Sequence, residues 1–355
     1  MPKVSCERNR IMRVLFIGFG NVGRTVARIL SRERCRFPAM EVLDGLVTAG
    51  IVTRRGGAMV SSDGVDLDRA LEDMETLGCF DEKERSFCRI TAEEAASTLD
   101  YDVLVELSTL SIEKRGEPAA THIRTALKRG RHAVSANKGP VAFAYRELSE
   151  LARNAGKEFL FETTVMDGAP VFNLSRSCLR GCVIDAVDGI LNSTTNFILG
   201  RMEEGAGFDQ AVREAQEIGV AEADPGNDVD GWDAAAKVAA LANVLLEGEI
   251  TPLEVEREGI RNISIDRIRK AAGSGRRLKL ICRAWRDQGG VHGKVGVEEV
   301  PMDHPFALVR GGGAVLRFQT DLMGPVLVTQ EKPDLYDTAY GVLGDLVQIL
   351  EGCRY

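Results

Sequence analysis

The groups able to do chemistry crowd into one short run of this chain. Between Gly219 and Asp233 lie five carboxylates, Glu222, Asp224, Asp228, Asp230 and Asp233, and Lys237 follows four residues later. On a helix that spacing puts Asp233 and Lys237 on one face, a turn apart. From Asp233 to Leu246 the other residues are Ala, Val, Leu and a single Asn, an all-round apolar composition that marks a buried helix. An exposed i,i+4 ion pair is worth only roughly a few tenths of a kcal/mol. At the head of a buried helix the same pair bears a desolvation cost and asks for a purpose. A lysine desolvated in a cleft can release its proton near neutral pH and serve in acid–base chemistry. Calcium does not fit the acidic run: an EF-hand alignment from Gly226 places Asp228, Asp230 and Gly231 correctly, but puts Gly226 at position 1 and Lys237 at position 12.

A second group is Gly18-Phe19-Gly20-Asn21-Val22-Gly23, which follows the apolar run Arg13–Ile17 and leads into Thr25–Leu30 with helical spacing. Strand, glycine turn, helix is the context in which Gly-x-Gly-x-x-Gly binds a dinucleotide. Gly18 permits the tight turn, Gly20 lets the backbone approach a pyrophosphate, and Gly23 allows close helix–strand packing. The next strand would normally end in an acidic residue for the ribose 2′-hydroxyl. Here it ends at Thr53-Arg54-Arg55, and two guanidiniums suit a 2′-phosphate, so NADP is favoured over NAD. A third group, Ser135-Ala136-Asn137-Lys138-Gly139-Pro140, directly follows a strand, where loops face the ligand crevice. Lys138 there could meet cofactor or substrate.

These groups need a scaffold, and the pattern around them supplies one. Apolar runs at Gly45–Val52, Val103–Leu107, Ala133–Ser135 and Glu158–Glu162 alternate with helical stretches at Asp66–Met74, His122–Arg129 and Tyr145–Asn154. That alternation predicts a Rossmann-type α/β domain with a parallel sheet over residues 1–160. Beyond it the texture changes. Strands are expected at Val183–Leu191, Gly293–Val300, Leu316–Thr320 and Val326–Thr329, and helices at Phe208–Ile218 and Trp232–Leu246. A mixed α+β substrate and dimerisation domain over 161–337 is the simplest reading. A closing helix, Thr338–Leu350 within the tail 338–355, would pack back on the first domain.

Composition narrows the function class. The chain has 355 residues, 44% of them hydrophobic, with 45 basic against 53 acidic residues and a net charge of −8. No basic stripe argues for nucleic acid, and no apolar run reaches the roughly 20 residues that span a bilayer. The start, MPKVSCERNRIMRV, lacks the apolar core and cleavage site of a secretory signal. Eight cysteines and four histidines are scattered without metal-ligand spacing, so reduced thiols in the cytoplasm are expected.

Together these pieces resemble the homoserine dehydrogenase family. The resemblance runs through GFGNVG at Gly18–Gly23, ANKGPVA at Ala136–Ala142, FETTVMDGAPVF at Phe161–Phe172, GILNSTTNFIL at Gly189–Leu199 and GVAEADPGNDVDGWDAAAK at Gly219–Lys237. It implies NAD(P)-dependent interconversion of L-aspartate 4-semialdehyde and L-homoserine, in the route to threonine and methionine. It implies that Lys237 is the proton donor and Lys138 the lysine beside nicotinamide and substrate. Glu222 and Asp233, helped by Asp228 and Thr194, would bind the amino-acid substrate, while Ser108, Thr109 and Gly219 would join the glycine loop around the cofactor. It also implies a homodimer, and a monovalent cation such as sodium at Glu162 and the carbonyls of Val165, Asp167 and Ala169.

Two departures qualify the resemblance. Where the family carries Gly-Ala-Gly before the closing helix, this chain reads Thr329-Gln330-Glu331-Lys332-Pro333-Asp334. The chain also stops at Tyr355 without the family's regulatory C-terminal domain, so threonine feedback through such a domain is not expected. Alternatives to the main reading are a dehydrogenase for a closely related amino-acid semialdehyde, or a catalytically weak NADP-binding regulator. A phosphorylating dehydrogenase would need a nucleophilic Cys beside a base, and no cysteine is so placed.

Overall fold

The computed structural model describes residues 11–352. Residues 1–10 and 353–355, among them Cys6, Cys353 and the end of the tail expected to hold the closing helix, lie outside the described residues. The first sheet contains β1 (Met12–Ile17), β2 (Leu46–Val52), β3 (Ala58–Val60), β4 (Phe87–Cys88), β5 (Val103–Glu106), β6 (His132–Ser135) and β7 (Phe159–Leu160), in the order β4-β3-β2-β1-β5-β6-β7. β2, β1, β5, β6 and β7 pair in parallel, as expected from strands that are apolar on both faces. The parallel expectation fails at one edge, where β3 and β4 run antiparallel. The cause is local: Thr53 N–H and Oγ both donate to the carbonyl of Gly57, whose φ of +80° turns the chain straight back after β2.

The second sheet comprises β8 (Ile184–Ile190), β9 (Glu256–Arg257), β10 (Arg276–Asp287), β11 (Gly290–Pro301), β12 (Ala314–Thr320) and β13 (Gly324–Gln330), ordered β13-β12-β8-β10-β11-β9. All pairs but β9–β11 are antiparallel. Leu278, Leu280, Cys282 and Ala284 of β10 are buried in the main core, on the alternating side where the helices Ser193–Glu203, Trp232–Leu245 and Ile265–Gly273 pack. Trp232–Leu245 is the buried helix its composition demanded, with Ala234–Ala236 and Val238–Asn243 all inaccessible.

Two elements differ from the sequence expectation in ways that matter for the site. The helix expected at Tyr145–Asn154 is present and runs to Ala155, but across a kink at Ala144 it continues a helical stretch that starts at Lys138. There the Asn137 side chain accepts the Gly139 N–H at 2.9 Å and Pro140 falls in the first turn, where a missing N–H costs nothing. Lys138 is therefore a helix's first residue. The strand expected at Glu158–Glu162 stops at Leu160, since the chain turns helical at Thr163–Met166.

The closing helix, Leu335–Glu351, returns to the first sheet and packs on the helix Asn21–Leu30. It buries Val342, Leu343 and Leu346 in a core shared with Val26, Ile29 and Leu160. Its Asp345 accepts the Glu162 N–H at 3.0 Å, and burial, with the Glu162 charge, pushes its carboxyl up to about 8. No helix among the described residues is long and apolar enough to cross a membrane. Truncating fully buried Leu346 to Ala should lower stability by about 2–5 kcal/mol. A shift of the denaturant midpoint measures this, and an unshifted midpoint would mean that the closing helix does not share the core.

Candidate active site

The glycine turn has the geometry that a dinucleotide needs. Gly18 adopts φ +97°, and a Cβ there would lie 2.7 Å from the Leu107 carbonyl carbon. Above Gly20 a Cβ would meet nothing within 4 Å, so that face is open to a ligand. At Gly23 it would press on the Gly18 carbonyl and the Leu107 side chain, both at 3.2 Å. The helix Asn21–Leu30 has no side-chain cap and no acidic residue in its first turn, leaving its N–H groups and dipole for an anion. Phe19 is buried against Phe80, so only its backbone faces this turn. The close approach of Gly18 to Leu107 and the Ser108 nitrogen sets Ser108 beside the glycines, while Thr109 is exposed. Gly18 N–H also bonds the Val52 carbonyl at 2.8 Å, which carries the end of β2 to the same edge. Arg54 and Arg55 follow there, exposed and with no ion pair or hydrogen bond among the described residues. These residues fit a dinucleotide.

The second half of the site assembles across the seam between the two sheets. Lys138, on the first unit, places Nζ 3.1 Å from Oδ1 of Asp233 on the buried helix of the second. Lys237 approaches Oδ2 of the same carboxylate at 3.5 Å and donates to the Leu191 carbonyl at 2.5 Å. Asn192 donates to Asp228 at 2.7 Å and to Asp233 at 3.1 Å. Thr194 donates to the Val220 carbonyl, fixing the start of the acidic loop. Side-chain exposures of 15% for Asp233 and Lys237 and 24% for Lys138 leave the cluster partly accessible.

The electrostatics follow from this crowding. Burial disfavours the Asp233 anion, but Lys138, Lys237 and Asn192 outweigh it and hold the carboxyl well below the usual range. Asp233 in turn raises Lys138, against burial, so Lys138 stays charged. Asp228 moves the other way, raised by burial and then by the Asp233 charge, against bonds from Asn192 and Thr194.

The acidic run is thus divided by role. Asp228 and Asp233 enter the cluster, Asp230 is spent on a bidentate pair with Arg261, and Asp224 caps the Gly226 N–H. Glu222 and Gly219 are exposed on the loop and make no side-chain contact with the cluster. Asn192, which the sequence reading did not single out, is as central as any residue it did. At the proposed cation position both Glu162 oxygens accept N–H groups, from Phe172 and Asn173 at 2.8 Å each, and burial raises this carboxyl. A buried carboxylate suits a hard monovalent cation in charge and donor type, and here both its oxygens are held by backbone N–H groups. Among the described residues no three His, Cys, Asp or Glu side chains converge on a metal.

A model of the homoserine dehydrogenase NAD-binding domain matches residues 18–162, and the homoserine dehydrogenase catalytic model matches 170–347. A homoserine dehydrogenase of Methanocaldococcus jannaschii is 36% identical, over 97% of this chain and 100% of its own length. The chain belongs to the homoserine dehydrogenase family. It is an NAD(P)-dependent oxidoreductase of that family. An NAD(+)-dependent homoserine dehydrogenase of Pseudomonas canavaninivorans is 34% identical over 95% of this chain and 96% of its own. A solved hyperthermophilic archaeal homoserine dehydrogenase, in complex with NADPH, superimposes with TM-score 0.80 at 28% identity, covering 97% of this chain and 98% of its own.

In a homoserine dehydrogenase built this way, Asp233→Asn leaves two lysines facing each other without their counter-charge. Breaking such a pair from one side costs about 3–5 kcal/mol when it is sealed from water, so roughly 2–3 is expected in this open cleft. Chemical denaturation of wild type and variant checks it; equal midpoints would mean that the carboxylate does not hold the seam.

Proposed function

We propose that this chain interconverts L-aspartate 4-semialdehyde and L-homoserine with a preference for NADP(H), in threonine and methionine biosynthesis. The observation that carries the reading is the Lys138–Asp233–Lys237 cluster on the seam between the nucleotide unit and the second sheet. A bound nicotinamide supplies or accepts the hydride. The chain's own work is positional and electrostatic. Lys237, anchored on the Leu191 carbonyl, gives a proton to the aldehyde oxygen and takes it back in the reverse direction. Lys138, kept charged by Asp233, stabilises the oxygen as negative charge develops. Asp228 with Thr194, and Glu222 from the exposed loop, provide the acidic side for the substrate's α-ammonium. Glu162 and the carbonyls of Val165, Asp167 and Ala169 would hold a monovalent cation.

NADP preference rests on Arg54 and Arg55, exposed just past the end of β2 and unpaired among the described residues. Relatives name both cofactors, so the family alone does not decide. For a homodimer, the face of the second sheet away from its main helices carries the row Arg317–Asp188–Arg283–Glu298, with the short helix Pro305–Leu308 packed beside it.

The test follows nicotinamide absorbance with L-homoserine and either cofactor. Turnover should require homoserine and fall at least a hundredfold in Lys237→Ala, in line with loss of general acid–base help. Replacing Arg54 and Arg55 by Ala should raise the KM for NADP about tenfold or more, from loss of charge-assisted contacts worth roughly 1.5–3 kcal/mol, and leave that for NAD unchanged. The KM for homoserine should rise as pH falls toward Asp228's raised pKa, because neutral Asp228 no longer attracts ammonium. NADP binding without turnover would move the weight to the regulator reading and the Glu331–Asp334 loop.

A further inference from the structure

Asn192 lies between Ile190, the last residue of β8, and the helix Ser193–Glu203, and is only 5% exposed. Its side-chain oxygen accepts the Thr195 N–H at 2.8 Å and so caps that helix. Its two amide protons go one each to Asp228 Oδ1 and Asp233 Oδ2, at 2.7 and 3.1 Å. The amide can face only this way, since the flipped group would turn its oxygen toward two carboxylates. The residue before it, Leu191, offers the carbonyl that anchors Lys237.

We propose that Asn192 is the positioning residue of the substrate cleft, a neutral double donor that lets Asp228 and Asp233 sit side by side as anions and aims them at the amino-acid substrate. This rests on the homoserine reading given above. A charged donor in its place would cancel the acidic side that attracts an ammonium, and a residue without donors would leave two carboxylates repelling each other. The charged groups facing it are Asp228 on its loop, Asp233 and Lys237 on the buried helix, and Lys138 from the nucleotide unit, which also feels Asp167. Burial and Asp233 already press Asp228 toward protonation, and Asn192 is the first contact opposing them.

Two substitutions separate this role from plain helix capping, because Ser and Asp rank with Asn as N-caps. Asn192→Ser keeps a cap and removes both amide donors, its single hydroxyl proton being unable to serve two carboxylates; Asn192→Asp keeps the cap and adds a third carboxylate. Both should lower kcat/KM for L-homoserine about tenfold or more, chiefly through KM, with NADPH affinity by fluorescence titration unchanged. Melting temperature, read without any activity, should show a deficit against wild type that widens from pH 5 to pH 8. The sign follows from Asp228: the donor to Asp233 is missed at every pH in this range, while the donor to Asp228 is missed more as Asp228 ionises, which happens as pH rises. Wild-type kinetics together with a pH-independent melting difference in both variants would overturn the proposal. If wild type itself does not turn homoserine over, the homoserine reading fails, while the widening melting deficit still decides whether Asn192 holds the two carboxylates.

Discussion

The Asp233 carboxylate is the constraint on which the two halves of this molecule depend. Lys138 is the first residue of its own helix, where the dipole presents its positive end and a cation is unwelcome. Asp233 sits in the first turn of its helix, where an anion is favoured. The lysine is therefore badly placed for its own element and well placed for the neighbour's carboxylate. A pair of this kind has a steric purpose as well: it ties the crevice end of β6 to the buried helix of the second sheet. On the proposed reaction, the positions of hydride transfer and of proton transfer would then be fixed by one interaction.

The cluster also has a charge logic. Lys138 and Lys237 balance Asp228 and Asp233, so the cleft is close to neutral before anything binds. An amino acid carrying both ammonium and carboxylate can enter such a site without leaving an uncompensated charge, whereas a simple anion or cation would. Within the cleft the two carboxylates are not equivalent. Both Asp233 oxygens are occupied by lysine and amide donors, while Asp228 is held by no lysine and has a weaker hold on its charge. On this geometry Asp233 organises the lysines, and Asp228 is the one with capacity left for a substrate ammonium.

Much of this was legible in the sequence, for identifiable reasons. The glycine turn, the buried helix and the Asp233–Lys237 pair announce themselves because their signals are local: turn, composition and one helical repeat. β10 went unread although Leu278, Leu280, Cys282 and Ala284 alternate cleanly, because Arg276, Arg277, Lys279 and Arg283 between them give the run the look of a charged loop. The start of the Lys138 helix was hidden by Gly139-Pro140, which suggests a turn unless the Asn137 cap is known. Asn192 had no local signal at all. Its importance comes from Asp228 and Asp233, 36 and 41 residues away, brought to it only by the fold.

The one segment that departs from the family pattern also acquires a physical account. Asp334 caps the closing helix, accepting the N–H groups of Tyr336 and Asp337, while Asp337 accepts the Asp334 N–H in return. One turn on, Thr338 donates to Asp167 at 2.9 Å and accepts from Thr163 at 3.0 Å, fastening the helix to the segment that leaves β7. A charge in this loop thus has a structural use independent of any cofactor. Glu331 and Lys332, exposed and without partners among the described residues, carry the real difference from a Gly-Ala-Gly loop. Bulk and charge at two exposed positions bear on how a cofactor is covered, and leave the lysine–carboxylate cluster untouched.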